Sequence, residues 1–507
     1  MNTVNQDAGA RKPAPDVLVV VMDCVRASDF PGGSDPVRMP FVERLRSECI
    51  SFPRAASVAP WTLPSHASLF TGLYPWEHGC HGRGGLRLDR RFERLPQQLR
   101  SQGYRTLSLS ANPMISPYYG LVDGFDIAEW GGWWEQVYRT KASPPRAYEA
   151  PAAGRPAPDP PVRSRRSHAA RAFKTMLTRV PAVLALGDSV VRHTVDPYGR
   201  GVGNMNPWIE PELGRWLARQ PSERPTFCFI NLLDAHEPYI LDPSGSDSLM
   251  EWWRFMRIPQ DVLALLVTPT PPPAEDLHRL HELYRRAIAA LDRRLGRIVE
   301  IYRRAGRWEN TLLLLTSDHG QAFGEHGMVW HGVRTDEEML RVPLMLRLPR
   351  GELGGATGRG WASPIDAMPT VLEAAGVSPS VPPSGVPLQR LVTESRAAPL
   401  LSAGDGTEWN RPFWYALSPQ RRTELNLFSI AAYIGPVKVV VNALTGEVRG
   451  YDLSSDAPAE LPPHRLNETN IQAVVQQARQ AIPPLLHATS IGVSTETDQR
   501  LRSWGYG

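Results

Sequence analysis

Three short stretches of this chain are apolar or β-branched at nearly every position and then stop at side chains that can bind a cation. Val17–Met22 runs into Asp23, Thr226–Leu233 into Asp234 and His236, and Thr311–Thr316 into Ser317, Asp318 and His319. A strand with one face in water alternates polar and apolar residues, whereas one that is apolar throughout is buried on both faces. Thr106–Ser110, Val342–Leu348 and Val437–Val441 read as further strands. Between them, Met39–Ser47, Phe92–Gln102 and the amphipathic Leu277–Arg304, closed by Gly306, read as helices. Strands that alternate with helices and need cover on both sides give an α/β fold, with a large mixed, mostly parallel central sheet flanked by helices on both faces.

At 507 residues the chain has room for one large domain and an appendage. Pro144–Arg179, rich in Pro, Ala and Arg, reads as an exposed insertion or a lid. The Pro-rich link Pro379–Pro387 precedes what reads as a smaller C-terminal α+β unit. The expected organisation is a flexible N-terminus over 1–15, a main domain over 16–395 carrying the insertion 144–179, and the smaller unit over 396–507.

Lys+Arg 56 against Asp+Glu 52 leaves a formal net charge of +4, too weak a field to make nucleic acid the default partner. No apolar run approaches the roughly 18 to 20 residues that cross a bilayer, and Met1–Pro15 lacks the apolar core of a secretory signal. Cys24, Cys49, Cys80 and Cys228 form no CxxC pair, so free thiols in a reducing compartment are expected. These features together predict a soluble cytoplasmic protein with no membrane partner.

Open α/β sheets bind ligands beyond the carboxyl ends of their strands, which directs attention to Asp23, to Asp234 with His236, and to Asp318 with His319. A single Asp at a strand end is more often a turn residue, but three such ends converging carry more weight. A fourth element is Ala59–Gly72, where Pro64 suits the first turn of a helix and Gly72 its left-handed end. That places Thr62 at the helix N-terminus, where unpaired N–H groups and the positive dipole end favour an anion beside the hydroxyl. The alternative is that Thr62 is only an N-cap. Asn112, after Thr106–Ser110, is a further pocket candidate with a turn role as its alternative, while His78, His81 and His326 in Gly-rich turns read as structural. Trp130, Trp133, Trp134, Trp252 and Trp253 read either as core or as an apolar substrate wall.

These residues resemble the sulfatase branch of the alkaline phosphatase superfamily. The nucleophile segment of that family, Cys or Ser, any residue, Pro, Ser, Arg, with a later Thr-Gly-x-Tyr-Pro-x-x-His-Gly, is similar to Thr62-Leu63-Pro64-Ser65-His66 and Thr71 to Gly79. Its second metal segment resembles Thr316 to Gly320 with Phe323 to Gly327. Asp234-Ala235-His236-Glu237-Pro238-Tyr239, Arg341-Val342-Pro343-Leu344 and Tyr451-Asp452-Leu453 follow in the expected order. The resemblance implies the fold of that superfamily and a metal-dependent hydrolase or transferase.

The departures from the family carry the functional expectation. Sulfatases oxidise the Cys or Ser to formylglycine; Thr62 is no substrate for that oxidation, and threonine is instead the nucleophile of phosphoryl-transfer members. Asp23-Cys24 stands where sulfatases carry two aspartates, and His66 stands where they carry an arginine. The resemblance thus implies one divalent cation, Zn²⁺ or Mn²⁺ before Ca²⁺ or Mg²⁺, held by Asp23, Thr62, Asp318 and His319. Cys24 is a candidate fifth ligand, although packing is the commoner role, and a site for two metals is not expected because extra Asp and His candidates are too few.

Thr62, His236 and His331 are the expected catalytic residues, and His66, Asn112, His236 and His331 the expected substrate contacts. The substrate would be a small anionic ester, cleaved or transferred at a phosphoryl or phosphonyl group through a covalent Thr62 intermediate. Sulfate or sulfamate ester chemistry without formylglycine, and a non-catalytic binding homologue, are the alternatives. The oligomeric state is left open, a homo-oligomer included.

Overall fold

The structure is a computed structural model that describes residues 13–82, 85–130, 146–149, 208–237, 239, 272–405, 428–455 and 458–487. Its fifteen strands are β1 Asp16–Met22, β2 Ile50–Ser51, β3 Arg105–Ser110, β4 Ile127–Trp130, β5 Arg146–Glu149, β6 Thr226–Leu232, β7 Thr311–Thr316, β8 Ala322–Phe323, β9 Val329–Trp330, β10 Leu344–Arg347, β11 Leu400–Asp405, β12 Phe428–Ile434, β13 Val437–Asn442, β14 Val448–Asp452 and β15 Ala459–Glu460. Eight of them form one sheet in the order β2-β10-β7-β1-β6-β3-β4-β5. The run β7-β1-β6-β3-β4 is parallel, and β10, β2 and β5 join antiparallel at the two margins.

The apolar strands are buried on both faces for the reason their sequences give. In β1, Leu18, Val20 and Met22 enter one core cluster while Val17, Val19 and Val21 enter the other. β7 divides in the same way, Leu313 and Leu315 against Leu312 and Leu314. The first face is covered by helix Ala274–Arg304, whose Leu280, Tyr284, Ile288, Leu291, Leu295 and Ile298 recur at helical spacing. Each such side chain contributes about 1.5–3 kcal/mol when fully buried. Gly306 (φ +69°) ends the helix, its N–H bonding the Arg303 carbonyl while the Arg307 N–H reaches back to Tyr302. The second face is covered by helices Thr62–Thr71, Leu95–Ser101 and Ala367–Ala375.

The helix expected over Met39–Ser47 is an α-helix only at Pro40–Leu45, followed by the 3-10 turn Arg46–Glu48, and two further expected elements are shorter than the sequence suggests. The strand expected over Val342–Leu348 is confined to Leu344–Arg347, because Pro343 has no N–H to give the ladder. The helix expected from Phe92 starts at Leu95, where the Gln97 side chain accepts the Arg94 N–H at 2.7 Å and Pro96 fits the first turn.

The C-terminal strands β11 to β15 form a separate antiparallel sheet in sequence order, backed by helix Thr469–His487 through Ile471, Val474, Val475 and Ala478. Its core also takes in Val58, Tyr74, Leu340 and Trp361 from the earlier part of the chain. Of the insertion 144–179, only Arg146–Glu149 falls among the described residues, and it adds the marginal strand β5. Trp133, Trp134, Trp252 and Trp253 lie outside the described residues, whereas Trp130 is buried in the core.

Candidate metal centre

The parallel strands deliver their carboxyl ends to one place. Asp23 follows β1 directly and its N–H bonds the Leu232 carbonyl of β6 at 2.9 Å. Asp318 and His319 follow β7, Asn112 follows β3, and His236 lies in the turn after β6. Helix Thr62–Thr71 points its N-terminus at the same spot; Trp61, extended at φ −157°, is its cap residue, so Thr62 is the first helical residue and not the N-cap. All ten residues of this helix are buried, and Gly72 at φ +68° turns the chain away where an added Cβ would come 2.8 Å from Pro383.

Four donors converge there. His319 Nε2 lies 3.3 Å from Asp318 Oδ2, 3.4 Å from Thr62 Oγ1 and 3.9 Å from Asp23 Oδ1. His319 Nδ1–H donates to the Gly320 carbonyl at 2.9 Å, which fixes the tautomer with a lone pair on Nε2. Burial pushes the His319 pKa down to about 4, so that lone pair is free at neutral pH. Asn112 Nδ2 donates to Asp23 Oδ2 at 2.9 Å and reaches Thr62 Oγ1 at 3.3 Å, and Asn231 Nδ2 adds a bond to Asp23 at 3.2 Å. The structure thus joins every residue expected to hold the cation, with Asn112 bridging two of them.

The electrostatics are those of carboxylates without a basic side chain beside them. Asp23 and Asp318 are buried, and among the described residues neither meets a lysine or arginine. Among the described residues Asp318 Oδ2 accepts no hydrogen bond. Burial and the neighbouring Asp23 drive the Asp318 pKa well above the usual carboxylate value; Asp23, which burial alone would raise, is held low by His236, His319 and Asn112. Two buried carboxylates, a hydroxyl and a lone-pair imidazole without a basic counter-ion form an oxygen-rich donor set suited to one divalent ion.

His66 lies fully buried within the first turns of the helix, its Nδ1–H donating to the Thr62 carbonyl at 2.9 Å and standing 3.6 Å from Asp318 Oδ2. Its Nε2 is buried without a partner among the described residues, and burial lowers its pKa. His236 and His331 pair edge to face with ring centroids 5.1 Å apart, and the His331 ring lies 4.4 Å from the His319 ring. Burial, reinforced by His319 and His236, drives His331 well below its usual pKa. For His236 the carboxylates of Glu237 and Asp23 outweigh burial and raise it.

Asp234 is a correction to the strand-end reading. Its carboxylate is held by Arg294 Nη1 at 3.1 Å, with Glu210 on the other arm of that guanidinium, so it ties helix Ala274–Arg304 to the sheet. His81 bonds Asp405 at 2.9 Å, His78 bonds Ser68 at 3.0 Å, and His326 is exposed.

Two site residues escaped the sequence reading. Glu237 Oε2 lies 3.4 Å from His236 Nδ1 and 4.0 Å from His331 Nδ1. Gln321 Oε1 accepts from His331 Nδ1 at 2.7 Å, and its Nε2 reaches Tyr239 Oη at 2.6 Å and Glu237 at 3.2 Å. Each sits within two positions of a histidine that was singled out, and that proximity was the available signal.

Comparison with known proteins places this geometry. The family described as Sulfatase matches residues 15–377. Mouse (Mus musculus) iduronate 2-sulfatase is 24% identical over 363 residues, 66% of this chain and 60% of that protein. The multifunctional alkaline phosphatase superfamily protein PehA of Trinickia caryophylli is 27% identical over 142 residues, 28% of this chain and 26% of its own length. The chain therefore spans less than two thirds of the curated relatives it matches. The phosphonate monoester hydrolases of Silicibacter pomeroyi and Agrobacterium radiobacter share the fold with TM-scores of 0.62 and 0.61 at 17% and 19% identity, each comparison covering 94% of this chain and 96% of the other. Among the described residues no helix is long and apolar enough to cross a membrane. The family match runs through β1, the helix of Thr62 and β7 with its Asp318-His319 end, and the chain belongs to the sulfatase family.

Proposed function

We propose that the protein cleaves or transfers a phosphoryl or phosphonyl ester group, with Thr62 as the nucleophile. The observation that carries this reading is the placement of Thr62 Oγ1 in the donor cluster, 3.4 Å from His319 Nε2 and 3.3 Å from the Asn112 amide. A divalent ion held by Asp23, Thr62, Asp318 and His319 would supply Lewis-acid charge that acidifies the hydroxyl and neutralises a phosphoryl oxygen.

The chain's own groups do the rest. The Asn112 amide reaches both the Thr62 hydroxyl and the Asp23 carboxylate and holds them next to each other. Thr62 Oγ1 forms the new P–O bond as the bond to the leaving oxygen breaks, and water or an alcohol later takes the group from Thr62. On this reading His236 and His331, whose rings lie 5.1 Å apart, hold phosphoryl oxygens or hand a proton to the leaving group.

A second reading, sulfate ester hydrolysis with Thr62 as a ligand only, is favoured by relatives such as iduronate 2-sulfatase. Parallel turnover of aryl phosphate, phosphodiester, phosphonate and sulfate esters with Zn²⁺ or Mn²⁺ separates the two. Phosphoryl or phosphonyl turnover that disappears in Thr62→Ala is expected. Sulfate turnover that survives Thr62→Ala would overturn the proposal.

A further inference from the structure

The two neighbouring imidazoles of the pocket are each tied down through Nδ1, but by different kinds of acceptor. His236 Nδ1–H donates to the main-chain carbonyl of Glu237 at 3.0 Å. His331 Nδ1 stands 2.7 Å from a side-chain oxygen, Gln321 Oε1. Gln321 is itself fully buried and its main chain is held from two sides: its N–H donates to the Glu338 carbonyl at 2.9 Å, and its carbonyl accepts from Arg26 Nε.

Which end of the Gln321 amide faces His331 follows from what lies at its other end. Gln321 Nε2 is 3.2 Å from Glu237 Oε2 and 2.6 Å from Tyr239 Oη. Turning the amide over would set its oxygen against the Glu237 carboxylate, so the NH₂ belongs there and the oxygen faces His331. An amide oxygen 2.7 Å from Nδ1 requires the proton on Nδ1, which leaves the lone pair of the neutral ring on Nε2. Cys24 Sγ at 3.7 Å and Glu237 Oε2 at 4.0 Å are farther from Nδ1, and neither competes with this bond. Nε2 is then the ring nitrogen left for a ligand. His331 is also the most open of the four imidazoles gathered here, 7% exposed against 4% for His236 and 0% for His66 and His319.

We infer that Gln321 is a positioning residue that fixes the tautomer of His331, so that His331 Nε2 serves as the proton acceptor of the second half of the reaction. The inference rests on the proposed Thr62 reading and deepens it. When water or an alcohol takes the phosphoryl group from Thr62, its oxygen forms the new P–O bond. The bond between phosphorus and Thr62 Oγ1 breaks with its electron pair going to Oγ1, and the proton of the attacking O–H passes to His331 Nε2. The imidazolium so formed keeps its Nδ1–H on Gln321 Oε1, with the Glu237 carboxylate 4.0 Å away to offset its charge. His236 is left to serve the leaving group of the first half. Gln321 touches no reacting atom and acts only through the ring it holds.

Two measurements on the full chain with Zn²⁺ test this. In nitrogen NMR of isotope-labelled histidines, with His331 assigned by its loss in His331→Asn, the wild type should show Nδ1–H and an unprotonated Nε2, and Gln321→Leu a mixture of tautomers. In rapid-quench turnover of a nitrophenyl phosphate or phosphonate ester, Gln321→Leu and His331→Asn should release the first nitrophenol at close to the wild-type rate. Later turnover should slow about 10-fold and about 100-fold respectively, with the adduct on Thr62 accumulating. Gln321→Glu, which still accepts from Nδ1–H, should recover most of the loss. Nε2–H on His331 in the wild type, or a tautomer unmoved in Gln321→Leu, would overturn the inference, as would first and later turnovers slowed alike. Nitrophenol release with no adduct on Thr62 in any of these proteins would overturn the Thr62 reading and the proton step with it, while the tautomer still decides what Gln321 does. The wild-type spectrum decides the tautomer even where a variant fails to fold.

Discussion

The two ends of β1 carry the same acidic residue under opposite conditions. At the amino end Asp16 accepts from Arg307 at 2.9 Å and from the Thr226 N–H and hydroxyl at 2.8 and 2.6 Å. At the carboxyl end Asp23 is buried with amides and imidazoles for company and, among the described residues, no lysine or arginine. Asp234 after β6 repeats the first pattern through Arg294, and Asp318 after β7 repeats the second. Burying a carboxylate with a guanidinium makes a tie between elements; burying two together without one makes a site that lacks its counter-charge.

The sharpest way to break this contrast is at Thr62, the hydroxyl donor of the site. Thr62→Ala should lower phosphoryl-ester turnover on the order of 10⁴-fold or more, with little change in melting temperature. Next in size, Asp16→Ala should cost about 3 kcal/mol in urea unfolding, because Arg307 is left buried without its partner. Asp318→Asn should leave the metal-free protein equally stable or stabilise it. Equal losses from both substitutions would remove the distinction.

Chelation sharpens the comparison from the other side. Cation present at 100 times its dissociation constant adds about 2.7 kcal/mol of stability, so chelator should lower the wild-type melting temperature and leave Asp318→Asn unmoved. Asn112→Ala should weaken cation affinity about 10- to 100-fold, measured by titration calorimetry, since Asn112 only orients ligands.

The smallest effect concerns the joint between the two sheets. Glu337 bonds Lys438 Nζ at 2.7 Å and Tyr433 Oη at 2.9 Å. Burial would raise its pKa, but Lys438 and Arg341 hold it below the usual value. A depressed folded pKa gives stability that is present above the unfolded value of about 4.3 and is lost as pH falls through the folded one. Wild type should lose stability on that acid limb, and Glu337→Gln should flatten this part of the profile.

Much of the fold was legible because β1, β6 and β7 are buried on both faces and show it at every position. The two-residue strands β2, β8, β9 and β15 carry no periodicity, and pairing partners alone create them. Asp23, Thr62, Asp318 and His319 were legible from strand ends, a helix start and family motifs. Asp234 was not separable from them, since nothing local in the sequence says that Arg294, sixty positions later on a helix, will claim it. Glu237 and Gln321 were missed because their side chains acquire direction only when the turns after β6 and β7 meet around His331.

The most direct test of the account is mass analysis of the peptide bearing Thr62 from enzyme quenched during turnover of a phosphoryl or phosphonyl ester with Zn²⁺ or Mn²⁺. A phosphoryl or phosphonyl adduct on Thr62, absent after chelation, is predicted. Steady turnover with no adduct on Thr62, undiminished in Thr62→Ala, would contradict it.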